Sequence, residues 1–162
     1  MFSPPSAPAD DKVGLYGRLH EALDALTAGE ADPIANMANA AALIWHMVPD
    51  LNWAGFYRLI DDELVLGPFQ GMPACIRIPL GKGVCGTAAQ QQKRILVPDV
   101  HVFPGHIACD SRSASELVVP LMIEGRLVGI LDLDSPLKSR FDEEDGAALE
   151  NMVRMLAPRI AG

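Results

Sequence analysis

Apolar side chains in the first fifty residues recur at helical spacing. Between residues 11 and 28 they return every three or four positions, and Gly29 supplies a stop. Asp32 followed by Pro33 is a favourable N-cap and first-turn pair, and it opens a second periodic run that ends before Pro49. The pattern therefore predicts two consecutive helices.

The following residues change to the apolar and aromatic runs typical of strands. Two-residue turns join four such runs into two predicted hairpins, 52–60 with 63–69 and 116–123 with 126–134. Shorter strands are predicted at 74–80 and 94–97, with a short helix at 84–92 between them. A last helix begins after Asp142 and is predicted to run to Leu156. Helices around one mostly antiparallel sheet of about six strands indicate an α+β fold.

Composition limits the classes of function. The 162 residues fit one domain, which we place at 11–162, after a flexible N-terminal arm at 1–10 that carries three prolines. The net charge of −8 disfavours nucleic acid and anionic membranes as partners. Without a secretory signal or a run of about 18 apolar residues, the protein is expected to be cytoplasmic.

All three cysteines lie within residues 71–110. Cys85 stands at the start of the predicted short helix, where the helix dipole would lower its thiol pKa. Cys109 lies in the loop 98–115, which is longer than usual connections and is therefore expected to be functional. Cys75 opens the predicted strand 74–80. This clustering favours thiol chemistry, although each cysteine could instead be a small core residue.

A zinc site is a further alternative for the same residues. Its ligands would be Cys75, Cys85, Cys109 and either His106 or His101. The spacing lacks the paired CxxC form of structural zinc sites, so the sequence disfavours it.

Three carboxylic acids interrupt the second predicted hairpin. Glu116 opens one strand, and Asp132 and Asp134 lie near the end of its partner, where period-two alternation puts both aspartates on one face. They could be solvated strand ends. Carboxyls that share one pocket disfavour one another's ionisation, however, and a neutral carboxyl can act as a general acid.

Several strings resemble one family of GAF-domain proteins, the free methionine (R)-sulfoxide reductases. The match covers essentially residues 10–157, and the strings follow the family's order: NWAGFY, LVLGPFQG, PACIRIPLGKGVCGTAA, VPDVHVFPGHIACD, SELVVPL and GILDLDSP. The resemblance implies a GAF-like fold and thiol-dependent reduction of free L-methionine (R)-sulfoxide to L-methionine. The alternative is a stand-alone GAF module that senses a small ligand or redox state, which the expected lack of an attached output domain disfavours.

The resemblance also implies roles for the cysteines. Cys109 attacks the sulfoxide sulfur and becomes a sulfenic acid, which Cys75 captures as an intramolecular disulfide. This assignment of Cys109 disagrees with the helix-dipole argument, which favours Cys85 as the reactive thiol. Cys85 is then a second resolving residue or a relay to the external reductant, and the sequence leaves this open.

The remaining expectations also follow from the resemblance. Glu116, Asp132 and Asp134 would surround the sulfoxide oxygen, and Trp53 would form an apolar wall against the S-methyl group, although a lone Trp is more often a core residue. No metal or organic cofactor is expected. A dithiol protein such as thioredoxin would restore the thiols, and family habit suggests a homodimer.

Overall fold

The structure is a computed structural model that describes residues 2–3 and 11–161. Apart from residues 2–3, the predicted arm lies outside the described residues. The four α-helices are α1 Lys12–Thr27, α2 Pro33–Met47, α3 Gly83–Gln91 and α4 Glu143–Ile160. Asp11, Asp32 and Asp142 accept backbone hydrogen bonds as N-caps of α1, α2 and α4. Within the described residues, no helix is long and apolar enough to cross a membrane.

Six antiparallel strands form one sheet, which confirms the α+β prediction. The strands are β1 Trp53–Ile60, β2 Glu63–Gly71, β3 Arg77–Pro79, β4 Ile95–Val97, β5 Ser115–Ile123 and β6 Arg126–Ser135. Their order is β3-β2-β1-β6-β5-β4, so β1 and β6 lie at the centre. A short 3₁₀ helix, Val100–Val102, lies in the long loop between β4 and β5.

Two predicted elements have different lengths in the structure. β3 pairs with β2 over three residues only, so Cys75 precedes the strand instead of opening it. α4 continues to Ile160, beyond the predicted end at Leu156, although Pro158 lies within it. Ile160 is buried against the core, and this packing holds the last turn in helical conformation.

Period-two alternation gives the sheet two different faces. Ala54 and Phe56 of β1, with Leu131 and Leu133 of β6, pack in the larger core with buried residues of α1, α2 and α4. Trp53, Tyr57 and Ile130 pack on the opposite face with residues of α3. One face of the sheet thus carries the main core, and the other is covered by one short helix and loops.

Asp145, in the first turn of α4, links that helix to α1. It is fully buried, and its Oδ1 accepts a 2.6 Å hydrogen bond from Tyr16 Oη. Its Oδ2 lies 2.7 Å from Lys12 Nζ and also accepts from the backbone N–H of Asp142, which completes a capping box. One carboxylate therefore joins the two helices and caps one of them.

We predict that Asp145→Ala lowers the free energy of unfolding by about 2–4 kcal/mol, because a cap is lost and a buried tyrosine hydroxyl is left unpaired. Urea denaturation followed by circular dichroism measures the change. Glu144→Ala is the matched control, since Glu144 lies exposed in the same helical turn, and we expect it to change stability by less than about 0.5 kcal/mol. Equal losses in the two variants would contradict the role of Asp145.

Candidate active site

The three predicted carboxyl groups lie together on the α3 face of the sheet. Glu116 of β5 pairs directly with Asp134 of β6, and Asp132 is two residues away on the same face. Glu116 and Asp132 are only 5% and 6% exposed, whereas Asp134 is half-buried. All three line one cavity. Solvated strand ends are therefore the wrong interpretation for Glu116 and Asp132.

Burial dominates the electrostatics of these carboxyls. It raises the pKa of Glu116 well above its ordinary value, and the charges of Asp132 and Asp134 raise it further. Burial raises the pKa of Asp132 to about 6. The pKa of Asp134 is also raised, first by burial and then by the charge of Asp132. The cluster therefore holds protons at a pH where exposed carboxyls are ionised.

Cys85 contacts this cluster from α3. Its Sγ lies 3.6 Å from Glu116 Oε1 and donates a hydrogen bond to it. Cys85 is 6% exposed, and burial, followed by the charges of Asp132 and Glu116, raises the pKa of its thiol. The prediction that the helix dipole lowers this pKa is therefore wrong, because desolvation and neighbouring carboxylates outweigh the dipole. Cys85 is a neutral thiol.

Cys75 and Cys109 form a disulfide at the edge of the cavity. The bond joins residues 34 positions apart, with their Cα atoms 5.8 Å from each other. Cys109 is exposed in the long loop, and Cys75 is half-buried just before β3. The pairing implied by the resemblance is present, and it consumes two of the three thiol ligands of the alternative zinc site.

Two aromatic residues of β1 hold the segment that carries Cys75. Trp53 Nε1 donates a 3.1 Å hydrogen bond to the carbonyl oxygen of Met72. Tyr57 Oη donates a 2.9 Å hydrogen bond to the carbonyl oxygen of Cys75 itself. Tyr57 was not predicted; its position four residues after Trp53, on the same face of a strand, was the available signal.

Asn52, immediately before β1, holds the loop that carries Cys109. Its side-chain nitrogen donates to Asp110 Oδ2 at 3.1 Å and to Ser113 Oγ at 2.9 Å. Arg112 also binds Asp110, with its Nη2 2.7 Å from Oδ2. The hydrogen bonds from Arg112 and Asn52 keep the pKa of Asp110 below its usual range. This carboxylate is therefore readily ionised. Asn52 was not predicted, because its partners are distant in sequence.

Trp53 is buried as a flat wall of the cavity. Its ring stacks on Phe69 with centroids 5.2 Å apart and on Tyr57 at 5.9 Å. Gly55 permits this arrangement, because a Cβ there would lie 2.8 Å from the Trp53 ring. Trp53 therefore gives the cavity a polarizable aromatic surface of the kind suited to a thioether.

The two candidate histidines differ in location. His106 lines the cavity, with Nε2 3.7 Å from Glu116 Oε2, and burial lowers its pKa. His101 is exposed and pairs with Asp99. With the disulfide formed, the cavity volume is about 30 Å³, which is room for one or two water-sized groups. The structure is thus that of the oxidised site.

Comparisons with known proteins identify relatives of this chain. The GAF domain family matches residues 38–160. Protein YtsP of Bacillus subtilis is 52% identical over 93% of this chain and 94% of its own length. The free methionine-R-sulfoxide reductase of Escherichia coli is 48% identical, covering 93% of this chain and 92% of its own length.

A solved structure extends the likeness to three dimensions. The free methionine-R-sulfoxide reductase of Neisseria meningitidis, in complex with its substrate, is 43% identical and superposes with a TM-score of 0.92 over 96% of this chain and 93% of its own. The predicted GAF-like fold is thereby confirmed. The chain belongs to the free methionine (R)-sulfoxide reductase family of GAF-domain proteins.

Proposed function

We propose that the protein reduces free L-methionine (R)-sulfoxide to L-methionine and is oxidised in turn to an intramolecular disulfide. The observation that carries this proposal is the Cys75–Cys109 disulfide at the edge of a cavity whose buried carboxyls hold protons. The family relationship supports the same reaction. Two electrons removed from a pair of thiols are the two electrons that a sulfoxide needs.

The reaction begins at Cys109. Its thiolate attacks the sulfoxide sulfur, the oxygen is transferred to Cys109 as a sulfenic acid, and methionine leaves with its sulfur reduced. The Cys75 thiol then attacks the sulfenic sulfur, so that an S–S bond forms and the oxygen departs as water. Cys109 suits the first step because it lies exposed in its loop, and Cys75 suits the second because it bonds to Cys109 in this structure.

Glu116 is the proposed proton donor. Its raised pKa favours the protonated form, and the Cys85 thiol and the Asp132 and Asp134 carboxyls surround it. A proton delivered to the sulfoxide oxygen makes the sulfur more electrophilic and prevents the build-up of an unscreened oxyanion. Trp53 would face the S-methyl group, and Asp132 and Asp134 would hold the polarised oxygen with Glu116.

Cys85 lies outside the proposed path of electrons. The other two cysteines already form the disulfide, while the Cys85 thiol is buried and donates to Glu116. We assign it to positioning Glu116. It is neither a second resolving residue nor a relay.

A dithiol protein of the thioredoxin type is the proposed reductant, as a reducing compartment such as the cytoplasm would supply. The disulfide is accessible through Cys109, and exposed apolar side chains flank it, with Ile76 70%, Met72 54% and Ile107 39% exposed. Such a rim suits a transient protein contact. The homodimer stays a prediction.

The first experiment tests the activity and the size of the substrate. With dithiothreitol as electron donor, the protein should release methionine from the racemic free sulfoxide and stop when the R enantiomer is consumed, as measured by chiral chromatography. An internal methionine sulfoxide in a peptide should react far more slowly, because the long loop encloses a small site. Binding without turnover would favour a sensor, and comparable rates on the peptide would contradict an enclosed site.

The second experiment separates the thiols. Cys109→Ser should release no methionine even in one turnover, whereas Cys75→Ser should release about one per active site and then stall with a thioredoxin system. Cys85→Ser keeps both cysteines of the disulfide and should continue through many cycles, at a rate lowered by the lost contact to Glu116. Methionine is counted by rapid quench. Near-normal turnover in Cys109→Ser, together with a dead Cys85→Ser, would reverse the assignment.

The third experiment tests whether Glu116 donates the proton to the sulfoxide oxygen. The single-turnover rate should fall on the alkaline side, as the pH rises through the raised pKa of Glu116, because the protonated form is the donor. Glu116→Gln should lower the rate by about 10²–10⁴ and flatten this fall. Glu124→Gln, at an exposed turn, is the control and should keep the wild-type profile. A wild-type rate in Glu116→Gln would assign the proton to water or His106.

A further inference from the structure

Three different metal-binding groups converge at the oxidised site. One ligand atom each from Cys85, Glu116 and Asp132 lies within 4.8 Å of the other two, and all three residues are buried. Within this set, Cys85 Sγ is 3.6 Å from Glu116 Oε1. The set combines one sulfur with two carboxylate oxygens and so differs from a plain acidic cluster.

The Cys85–Glu116 spacing fits a tetrahedral ion. Zinc bonds of about 2.0 Å to oxygen and about 2.3 Å to sulfur place neighbouring donors roughly 3.5 Å apart. The Cys85–Glu116 distance of 3.6 Å agrees with this value. His106 Nε2, 3.7 Å from the other oxygen of Glu116, lies close enough to approach the fourth position by a small movement of its loop.

Two independent observations indicate that the cavity can hold such an ion. Asp132 Oδ1 is buried and makes no hydrogen bond within the described part of the chain, so it has an unused acceptor in a residue that is 6% exposed. Such an orphaned oxygen is costly unless a donor or cation reaches it. The cavity, with a volume of about 30 Å³, has room for a single ion.

We propose that Cys85, Glu116 and Asp132 form an inhibitory site for Zn²⁺, which is assembled in the disulfide form and, since its ligands include neither Cys75 nor Cys109, is also available in the reduced protein. Binding forms bonds from the ion to one sulfur and two oxygens, and the protons that these groups carry pass to solvent. The ion occupies the groups that the sulfoxide requires, so the two ligands exclude each other. Zn²⁺ binding at this site does not depend on the proposed function. The inhibitory effect of the bound Zn²⁺ does rest on the proposed function.

Cobalt titration tests the binding directly. Co²⁺ replaces Zn²⁺ as a spectroscopic probe, because a bond to thiolate gives a charge-transfer band in the near ultraviolet. The disulfide form should develop this band at one Co²⁺ per chain, and added Zn²⁺ should abolish it. Since Cys75 and Cys109 are bonded to each other, the band would identify Cys85 as the sulfur ligand.

Variants assign the ligands. Cys85→Ser should lose the band, and Glu116→Gln and Asp132→Asn, which keep the thiol, should each weaken Zn²⁺ binding at least about tenfold. Glu124→Gln is the exposed control and should bind as the wild type does. Lack of a band in the wild type, a band that survives Cys85→Ser, or a band that appears only after reduction of the disulfide would overturn the proposal.

Inhibition is measured separately. In single cycles of the reduced protein without chelating thiols, Zn²⁺ should raise the sulfoxide concentration required for half-maximal rate and leave the rate at saturating sulfoxide unchanged. A Zn²⁺ effect that sulfoxide does not relieve would contradict a shared site. Because the cobalt band requires no turnover, failure of the reductase assay alone would refute the proposed function and leave the metal site standing.

Discussion

The cost of ionising carboxyl groups inside the protein is the constraint on which this site depends. Burial raises the pKa of Asp132 from 3.8 to about 6, which corresponds to roughly 3 kcal/mol of disfavoured ionisation at about 1.4 kcal/mol per unit. Glu116 and Asp134 share the same environment. The antiparallel pairing of β5 and β6 fixes these side chains side by side, so none of them can turn to solvent without disrupting the sheet.

The division of the sheet into two faces explains how the fold tolerates this cost. Burial of apolar side chains between the sheet and α1, α2 and α4 supplies the main core. The opposite face is covered by α3 and loops, which leaves room for a cavity. β1 links the sheet to the disulfide, because its aromatic residues and the preceding Asn52 hold the two segments that carry Cys75 and Cys109.

The sequence predicted the features of the fold that are determined by neighbouring residues. Helical spacing, N-caps and two-residue turns located the long elements, and alternation along β6 placed Asp132 and Asp134 on one face. The sequence could not show that α3 packs against those aspartates, and so the helix-dipole argument for Cys85 failed. Asn52 and Tyr57 were missed for a related reason: they act through partners 58 and 18 residues away that only the folded sheet brings near.

The same burial supports the family resemblance, rather than local electrostatics, in the choice of the nucleophile. A thiolate and a neutral acid must coexist in one site, yet an environment that keeps Glu116 protonated also keeps Cys85 protonated, since desolvation penalises both anions. A nucleophile must therefore come from a more solvated position. Cys109 meets this requirement, because its loop is exposed while its bond to Cys75 keeps it at the edge of the acid-lined cavity. Placing the acid on rigid strands and the thiol on a loop lets one small site hold both.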